Sequence, residues 1–423
     1  MTRSRWIPVA VMALLSLSTF LNYVDRQVLA LLARPVQQAL TMDDRGYAAV
    51  VTAFMIAYTL GNLSSGWLLD RLGPVRAMPF FVGAWSIAGC LSGLAHNTPQ
   101  LATSRFFLGL FETGNFIAAP VVVALFLPAR HKAMGIGVYT AAAMFGAAVS
   151  PPLVTAIDAA VGWRMAFLLL GVAGLCWVAL WWLLPLRAAQ AEIAAREAAD
   201  LDRAAVPAAA PVADPGTWRE VLSEPKVWAF GFGQMLSFPV WFFYLNWFPK
   251  YLTDERGLST IEMGQRAWAV YLAAALGSLS AGWVIAALVR RGLAPIQARL
   301  ATLGAIAVIA PLGAVNYFEP SIEVSIASAS AVAFLHLIWQ VTITSIPLEI
   351  FNPRRMGKVL AVIGVTSGTG GIVSTWLIGS LVGTVTYRPM FVVMAGAYAV
   401  ALTVVLVLMS RGGRAPAAPL PQT

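Results

Sequence analysis

Charge is what this chain has little of. Of its 423 residues only 11% are charged, against 59% hydrophobic, where a soluble domain carries about a quarter charged residues. Histidine (3) and cysteine (2) are also scarce. Cys90 and Cys176 both fall inside apolar windows, so they make no disulfide framework and read as small apolar packing residues. There is no His-Glu-x-x-His run and no Cys/His cluster to hold a metal. Nor is there a phosphate-binding loop ending in Lys-Ser/Thr, so nucleotide hydrolysis by the chain itself is excluded. No enzyme activity and no cofactor are expected, and a proton gradient is left as the energy source.

What is present is apolar length. Mean hydropathy is +0.76. About twelve windows reach the roughly 20 residues needed to cross a hydrocarbon core. They lie near 7–32, 46–69, 77–96, 101–125, 133–157, 164–185, 226–248, 264–288, 297–317, 324–346, 357–383 and 388–409. The expected fold class is all-α integral membrane, twelve transmembrane helices in two six-helix bundles. The first window is not read as a cleaved signal peptide. Arg3 and Arg5 precede it, but it runs into Asn22-Tyr23-Val24-Asp25-Arg26 with no small-residue cleavage pattern.

The net charge of +9 is distributed as topology, not as a nucleic-acid patch. Basic residues gather in alternate short loops: Arg71 and Arg76, Arg130 and Lys132, Arg290 and Arg291, then Arg354, Arg355 and Lys358. With Arg3, Arg5, Arg411 and Arg414 they place about 19 basic residues on one side, which the positive-inside rule makes cytoplasmic. Both termini are expected there. Only four of the 28 basic residues are lysine, and with the abundant alanine this suggests a GC-rich bacterial gene, hence an inner-membrane location.

Residues 186–222 break the apolar pattern with Ala, Pro, Glu and Arg and read as a cytoplasmic linker between bundles 1–185 and 223–410. Residues 411–423 read as a disordered tail. Gly66-Trp67-Leu68-Leu69-Asp70-Arg71-Leu72-Gly73 after the second span is echoed by Gly282-Trp283-Val284-Ile285-Ala286-Ala287-Leu288 at the eighth. Repeated halves with a midplane substrate site are a known transporter plan.

Against that background four charges stand out inside the spans: Asp25, Arg26, Arg105 and Glu112. Each costs at least about 2.5 kcal/mol to insert. Arg105 and Glu112 are two helical turns apart and share a face, which Asn115 extends. Asn22 with Asp25 and Arg26 gives the first span a polar face of its own. An arginine fork suits a carboxylate substrate. A buried carboxyl suits a proton, since loss of water favours its neutral form and a neighbouring arginine its anion. An anion that occupies the arginine removes that neighbour and favours proton uptake, which is the logic of symport. The competing reading is two internal salt bridges, Asp25–Arg26 and Arg105–Glu112, that only hold helices together. Tyr23, Tyr58, Gln234, Trp241, Tyr244, Asn246, Gln340 and Ser345 are further in-span polar groups that serve either substrate contact or helix packing. His336 invites a proton-relay reading, though no acid lies in its own segment. His96 and His131 sit at loops and carry no weight.

Gly66-x-x-x-Asp70-Arg71-x-Gly73-x-x-Arg76 is similar to the signature loop of the major facilitator superfamily. That resemblance implies that Asp70, Arg71 and Arg76 act in gating, latching the cytoplasmic ends. Asn22-Tyr23-x-Asp25-Arg26, Arg105-x-x-x-Gly109-x-x-Glu112-x-Gly114-Asn115-Phe116, Gly162-Trp163-Arg164 and Trp247-Phe248-Pro249-x-Tyr251-Leu252 resemble the anion:cation symporter family, which moves sugar acids and other organic anions. The resemblance assigns Asp25 and Glu112 to proton coupling and Arg26 to the substrate carboxylate. Arg105 steers the proton step near the substrate, and Tyr23, Tyr58 and Gln234 contact the substrate.

The sequence departs from that pattern at three places. Ala286-Ala287 replaces an Asp-Arg pair, which weakens the C-terminal latch; Ala142 replaces a glutamine and Gly368 an asparagine, two lost amides that favour a less hydroxylated or more aromatic carboxylate than galactonate. The resulting expectation is a proton-coupled importer of a small organic anion, working as a monomer in the bilayer with no nucleic-acid partner. The alternatives are a proton-driven exporter of hydrophobic compounds, a transporter-like sensor and a lysolipid transporter.

Overall fold

The computed structural model describes residues 6–127, 129–186, 190, 217–351, 355–382 and 386–411, and these are helical almost throughout. The expected linker (187–189 and 191–216) and tail (412–423) lie outside the described residues, as do Arg3, Arg5, Arg354 and Arg414. The first half is α1 (Trp6–Leu31), a short α2 (Ala33–Ala39), α3 (Asp44–Leu72), α4 (Pro74–Gly93), α5 (Thr98–Phe126), α6 (Ala129–Val161) and α7 (Trp163–Leu183). The second half begins with a short α8 (Trp218–Ser223) and α9 (Pro225–Phe242), then a π-helical turn, Phe243–Trp247, and α10 (Phe248–Asp254). It continues with α11 (Thr260–Arg290), α12 (Pro295–Ile309) with a 3-10 extension Ala310–Phe318, α13 (Ile322–Ile350), α14 (Met356–Val382) and α15 (Arg388–Arg411).

Ten described helices are long and apolar enough to cross a membrane, and the bent α3 makes an eleventh. The twelfth expected window, 226–248, is helical but built in three pieces. Pro249 removes the amide that would close a bond to the Leu245 carbonyl, and a π turn absorbs such a defect. Helix starts follow local chemistry. Asp43 caps α3 by accepting from the Gly46 amide (2.8 Å), and Asn97 caps α5 by accepting from Gln100 (2.9 Å). Proline opens α4, α9 and α12, where its missing amide is harmless. Gly73 takes φ +71° between α3 and α4, a conformation that glycine alone adopts without strain, and so turns the signature loop.

The chain forms two compact units. The first is Met1–Val212 with Tyr244–Ala275 and Thr375–Tyr387; the second is Ala213–Phe243, Leu276–Ser374 and Arg388–Thr423. One passage between units falls inside the π turn. Within the first unit α3 packs on α5, α1 on α6, and α4 on both α5 and α7. Trp177 and Trp181 stack at 5.0 Å and donate their indole N–H groups to the carbonyls of Leu14 and Val75. In a lipid-facing bundle that satisfies polar tips which water cannot reach. Within the second unit α9 packs on α15, which also lies against the 3-10 extension. Large apolar side chains such as Trp283 and Leu279 point outward, as membrane-embedded helices require.

Candidate functional site

The site is a polar seam where α1 meets α5. Ser18 and Thr19, one turn before Asn22, begin it: Ser18 Oγ donates to Asn115 Oδ1 (3.1 Å), and Asn115 Nδ2 donates to Thr19 Oγ1 (3.0 Å). Asn22 Nδ2 then donates to the Glu112 carbonyl (3.2 Å). One turn further on, Arg26 Nε and Nη2 donate to Glu112 Oε2 at 3.1 and 3.0 Å. Glu112 is fully buried, while 19% of the Arg26 side chain is exposed. The ion pair therefore runs between spans, not along either one as the salt-bridge reading had it. Neighbouring residues on a helix do not face each other, so Asp25 and Arg26 project in different directions and Arg26 reaches the facing helix.

Arg105, also expected to face Glu112, is turned elsewhere. Its Nη1 and Nη2 donate, at 3.4 Å each, to the backbone carbonyls of Asp25 and Arg26. It is 2% exposed and clamps the first span at the two charged residues. Asp25 is itself buried. Asp25 Oδ2, Asn22 Oδ1, Glu112 Oε1 and Arg105 Nε have no hydrogen-bond partner among the described residues. Such orphaned groups each cost about 1–3 kcal/mol, so their concentration here marks a place built for something other than stability.

Four rings surround the Arg26 guanidinium: Tyr58 at 4.7 Å, Tyr23 at 5.3 Å, Phe116 at 5.9 Å and Phe54 at 6.0 Å from its carbon. Cation–π contacts of this kind contribute about 0.5–2 kcal/mol each, more when dry. They help hold the guanidinium in place. Tyr23, Tyr58, Asp25, Arg26, Arg105 and Glu112 thus lie together in the first unit. Phe54, Ser18 and Thr19 were not anticipated from the sequence. The last two were legible as the continuation of the Asn22 face; Phe54 was not, because a phenylalanine in an apolar span carries no signal.

Gln234 belongs to the second unit, where its Nε2 donates to Thr344 Oγ1 (3.1 Å) and its Oε1 accepts from Gln340 Nε2 (3.4 Å). His336 lies in the same unit. It hydrogen-bonds through Nδ1 to the Tyr398 hydroxyl (2.8 Å) and stacks on Trp241 at 5.6 Å. Asp70, Arg71 and Arg76 are exposed at the Gly73 turn, with Arg71 lying over Trp67 at 4.5 Å. In the second unit, Arg299 pairs with Glu349 (2.7 Å) and donates to Ser345, while Arg355 pairs with Glu220 (2.6 Å).

A second buried charge centre lies in the first unit, outside the windows that drew attention to the other four. Lys250, only 4% exposed, donates to Asp44 Oδ1 (2.8 Å) and to Asp254 Oδ2. Gln37 Nε2 also donates to Asp44 Oδ1 (3.0 Å), and the Tyr387 hydroxyl donates to Asp254 Oδ2 (3.4 Å). Arg34 Nη1 donates to the Thr253 carbonyl and the Tyr47 hydroxyl to the Asn246 carbonyl, both at 3.0 Å. Helices α3 and α10 are thereby tied end to end.

The Major Facilitator Superfamily model matches residues 15–374. The chain is 29% identical over 299 residues to the probable L-galactonate transporter of Escherichia coli K12, covering 70% of this chain and 66% of that one. It is 27% identical over 387 residues to the D-galactonate transporter of E. coli O6:H1, covering 88% of each. To the hexuronate transporter of E. coli K12 it is 23% identical over 397 residues, covering 92% of this chain and 90% of that one. Among solved structures, a bacterial homolog of the human lysosomal transporter Spinster, inward-facing and occupied, superposes with a TM-score of 0.74 at 16% identity, covering 98% of this chain and 100% of that one. The D-xylose-proton symporter superposes at 0.70 and 15% identity, covering 94% and 97%. A twelve-helix architecture, a glycine-turned signature loop and a family match along most of its length place this chain in the Major Facilitator Superfamily: it is a multi-span membrane transporter, not an enzyme.

Proposed function

We propose that the protein is a proton-coupled secondary transporter that imports a small organic anion by alternating access, in the inner membrane of a bacterium with both termini cytoplasmic. The observation that carries this reading is the Arg26–Glu112 pair: a partly exposed guanidinium held by a fully buried carboxylate inside two apolar spans. A substrate carboxylate that takes the arginine leaves Glu112 buried without its counter-charge. A buried carboxylate in that position is neutralised by a proton. Anion and proton therefore load together. Asp25, buried beside the Arg105 clamp, is the second proton-carrying carboxyl, and Tyr23 and Tyr58 orient the guanidinium. Names borne by relatives of the chain, which move galactonate and hexuronate, support a carboxylate-bearing substrate. Asp70, Arg71 and Arg76 serve as the cytoplasmic latch, and the transporter works as a monomer.

The test is uptake into proteoliposomes under an inward proton gradient, with a panel of labelled sugar acids, aromatic acids and short hydroxy- and dicarboxylates. The expected result is accumulation of one anion that needs the gradient, is lost in Arg26→Ala and is uncoupled in Glu112→Gln. Export of lipophilic cations with no anion uptake would replace this reading with the exporter.

A further inference from the structure

Two guanidiniums lie close to the seam, and a site that offered both would suit a dicarboxylate. We propose that it offers only one. The substrate is a monoanion with an uncharged body, and Phe54 is the specificity-determining residue that screens Arg105 from it. This rests on the anion-transport reading above and narrows it.

The geometry separates the two cations. The Arg26 side chain is 19% exposed; Arg105 is 2% exposed, with both Nη groups directed to the Asp25 and Arg26 carbonyls. One ring stands against each of them. The Phe54 centroid is 5.4 Å from the Arg105 guanidinium carbon and 6.0 Å from that of Arg26. Phe54 is itself 8% exposed, so it is fixed in the wall. Gly109, one turn beyond Arg105 on the same helix, sets that position. A Cβ at 109 would lie 2.4 Å from the Phe54 carbonyl oxygen and 3.0 Å from its Cδ2. Bare backbone there lets α3 come close enough for the ring to slide beside both arginines. The ring face attracts each guanidinium but offers no donor to an incoming carboxylate. A second substrate carboxylate would lose water and find no cation. Three other cations of the first unit are engaged elsewhere: Arg34 with the Thr253 carbonyl, Arg164 with the Ala95 carbonyl and Lys250 with two aspartates.

Pairs of probes differing by a single carboxylate test this: galactonate against galactarate, and benzoate against phthalate, each labelled and offered to proteoliposomes under the same proton gradient. In the wild type the monoanion of a pair is taken up and its dianion enters at least about tenfold more slowly, the factor that one unpaired buried charge readily produces. In Phe54→Ala the ratio narrows at least about threefold, because Arg105 becomes reachable; Phe54→Leu, which keeps the bulk, retains the wild-type ratio. The wild-type ratio needs no variant, so a misfolded Phe54→Ala leaves the test standing. Galactarate or phthalate entering the wild type as fast as its monoanion overturns the proposal while leaving anion transport intact. So does a folded Phe54→Ala with an unchanged ratio. Absence of any Arg26-dependent anion uptake overturns the transport reading and this inference with it.

Discussion

The first unit buries charge in two places, and the two are built on opposite principles. Around Lys250 one ammonium faces two aspartates, and Gln37 and Tyr387 donate further hydrogen bonds to those carboxylates. Around Arg26 the bonding is left incomplete, with Asp25 Oδ2, Glu112 Oε1, Asn22 Oδ1 and Arg105 Nε unpartnered. The Lys250 cluster behaves as a clasp, since removing its single cation leaves two carboxylates uncompensated. An incomplete one has capacity to spare for an anion and a proton. Burial differs as well: Asp44 and Asp254 are 22% and 26% exposed, whereas Glu112 is fully buried.

Five substitutions sharpen that contrast. Arg26→Ala has the largest effect: uptake falls at least about a hundredfold, as expected when one partner of a buried hydrogen-bonded charge pair is truncated. Arg26→Lys recovers little of it, because an ammonium cannot reproduce the two-pronged contact to Glu112. Measured by radiolabel uptake, a variant near wild type would make the seam a mere structural bridge. Lys250→Met comes next and acts on stability. Two facing aspartates are left without their cation, and the loss of about 3 kcal/mol registers as a lower thermal-unfolding midpoint. Asp44→Asn costs less, about 1 kcal/mol, since the amide still accepts from Lys250 and Gln37. If Lys250→Met instead left stability unchanged, the clasp would be indistinguishable from an ordinary surface ion pair. Smallest is Thr19→Val, which removes the acceptor of Asn115 Nδ2. It costs about 1 kcal/mol of stability and shifts the apparent affinity for the anion by no more than about threefold, because the seam above Arg26 is retained.

Much of this architecture was legible in the residues. Apolar length located the spans, and the seven-residue separation of Arg105 and Glu112 placed both on one face of α5. Pairing was not legible. Chain neighbours Asp25 and Arg26, and face neighbours Arg105 and Glu112, suggested bonds along each helix; the observed bond crosses from Arg26 to Glu112 because only the packed helices bring those two tips together. Lys250 was passed over for a related reason. It sits at the end of a span, where a lysine normally reaches water, and its partners come from Asp44, two hundred residues away, and from Asp254. The broken seventh span was hidden too. Its window, 226–248, is apolar apart from scattered polar residues such as Gln234 and Asn246, and the π turn lies where Pro249 removes an amide from the bond ladder.

The account rests on Glu112 exchanging Arg26 for a proton when the anion arrives, and proton movement shows this most directly. In wild-type proteoliposomes with a trapped pH dye, adding the transported anion outside should acidify the lumen. In Glu112→Gln the same anion should still exchange across the membrane by counterflow, with acidification well below the wild-type rate because Asp25 alone remains to carry a proton. Luminal acidification that persists in Glu112→Gln at the wild-type rate would contradict the account, and would move the coupling proton to another group.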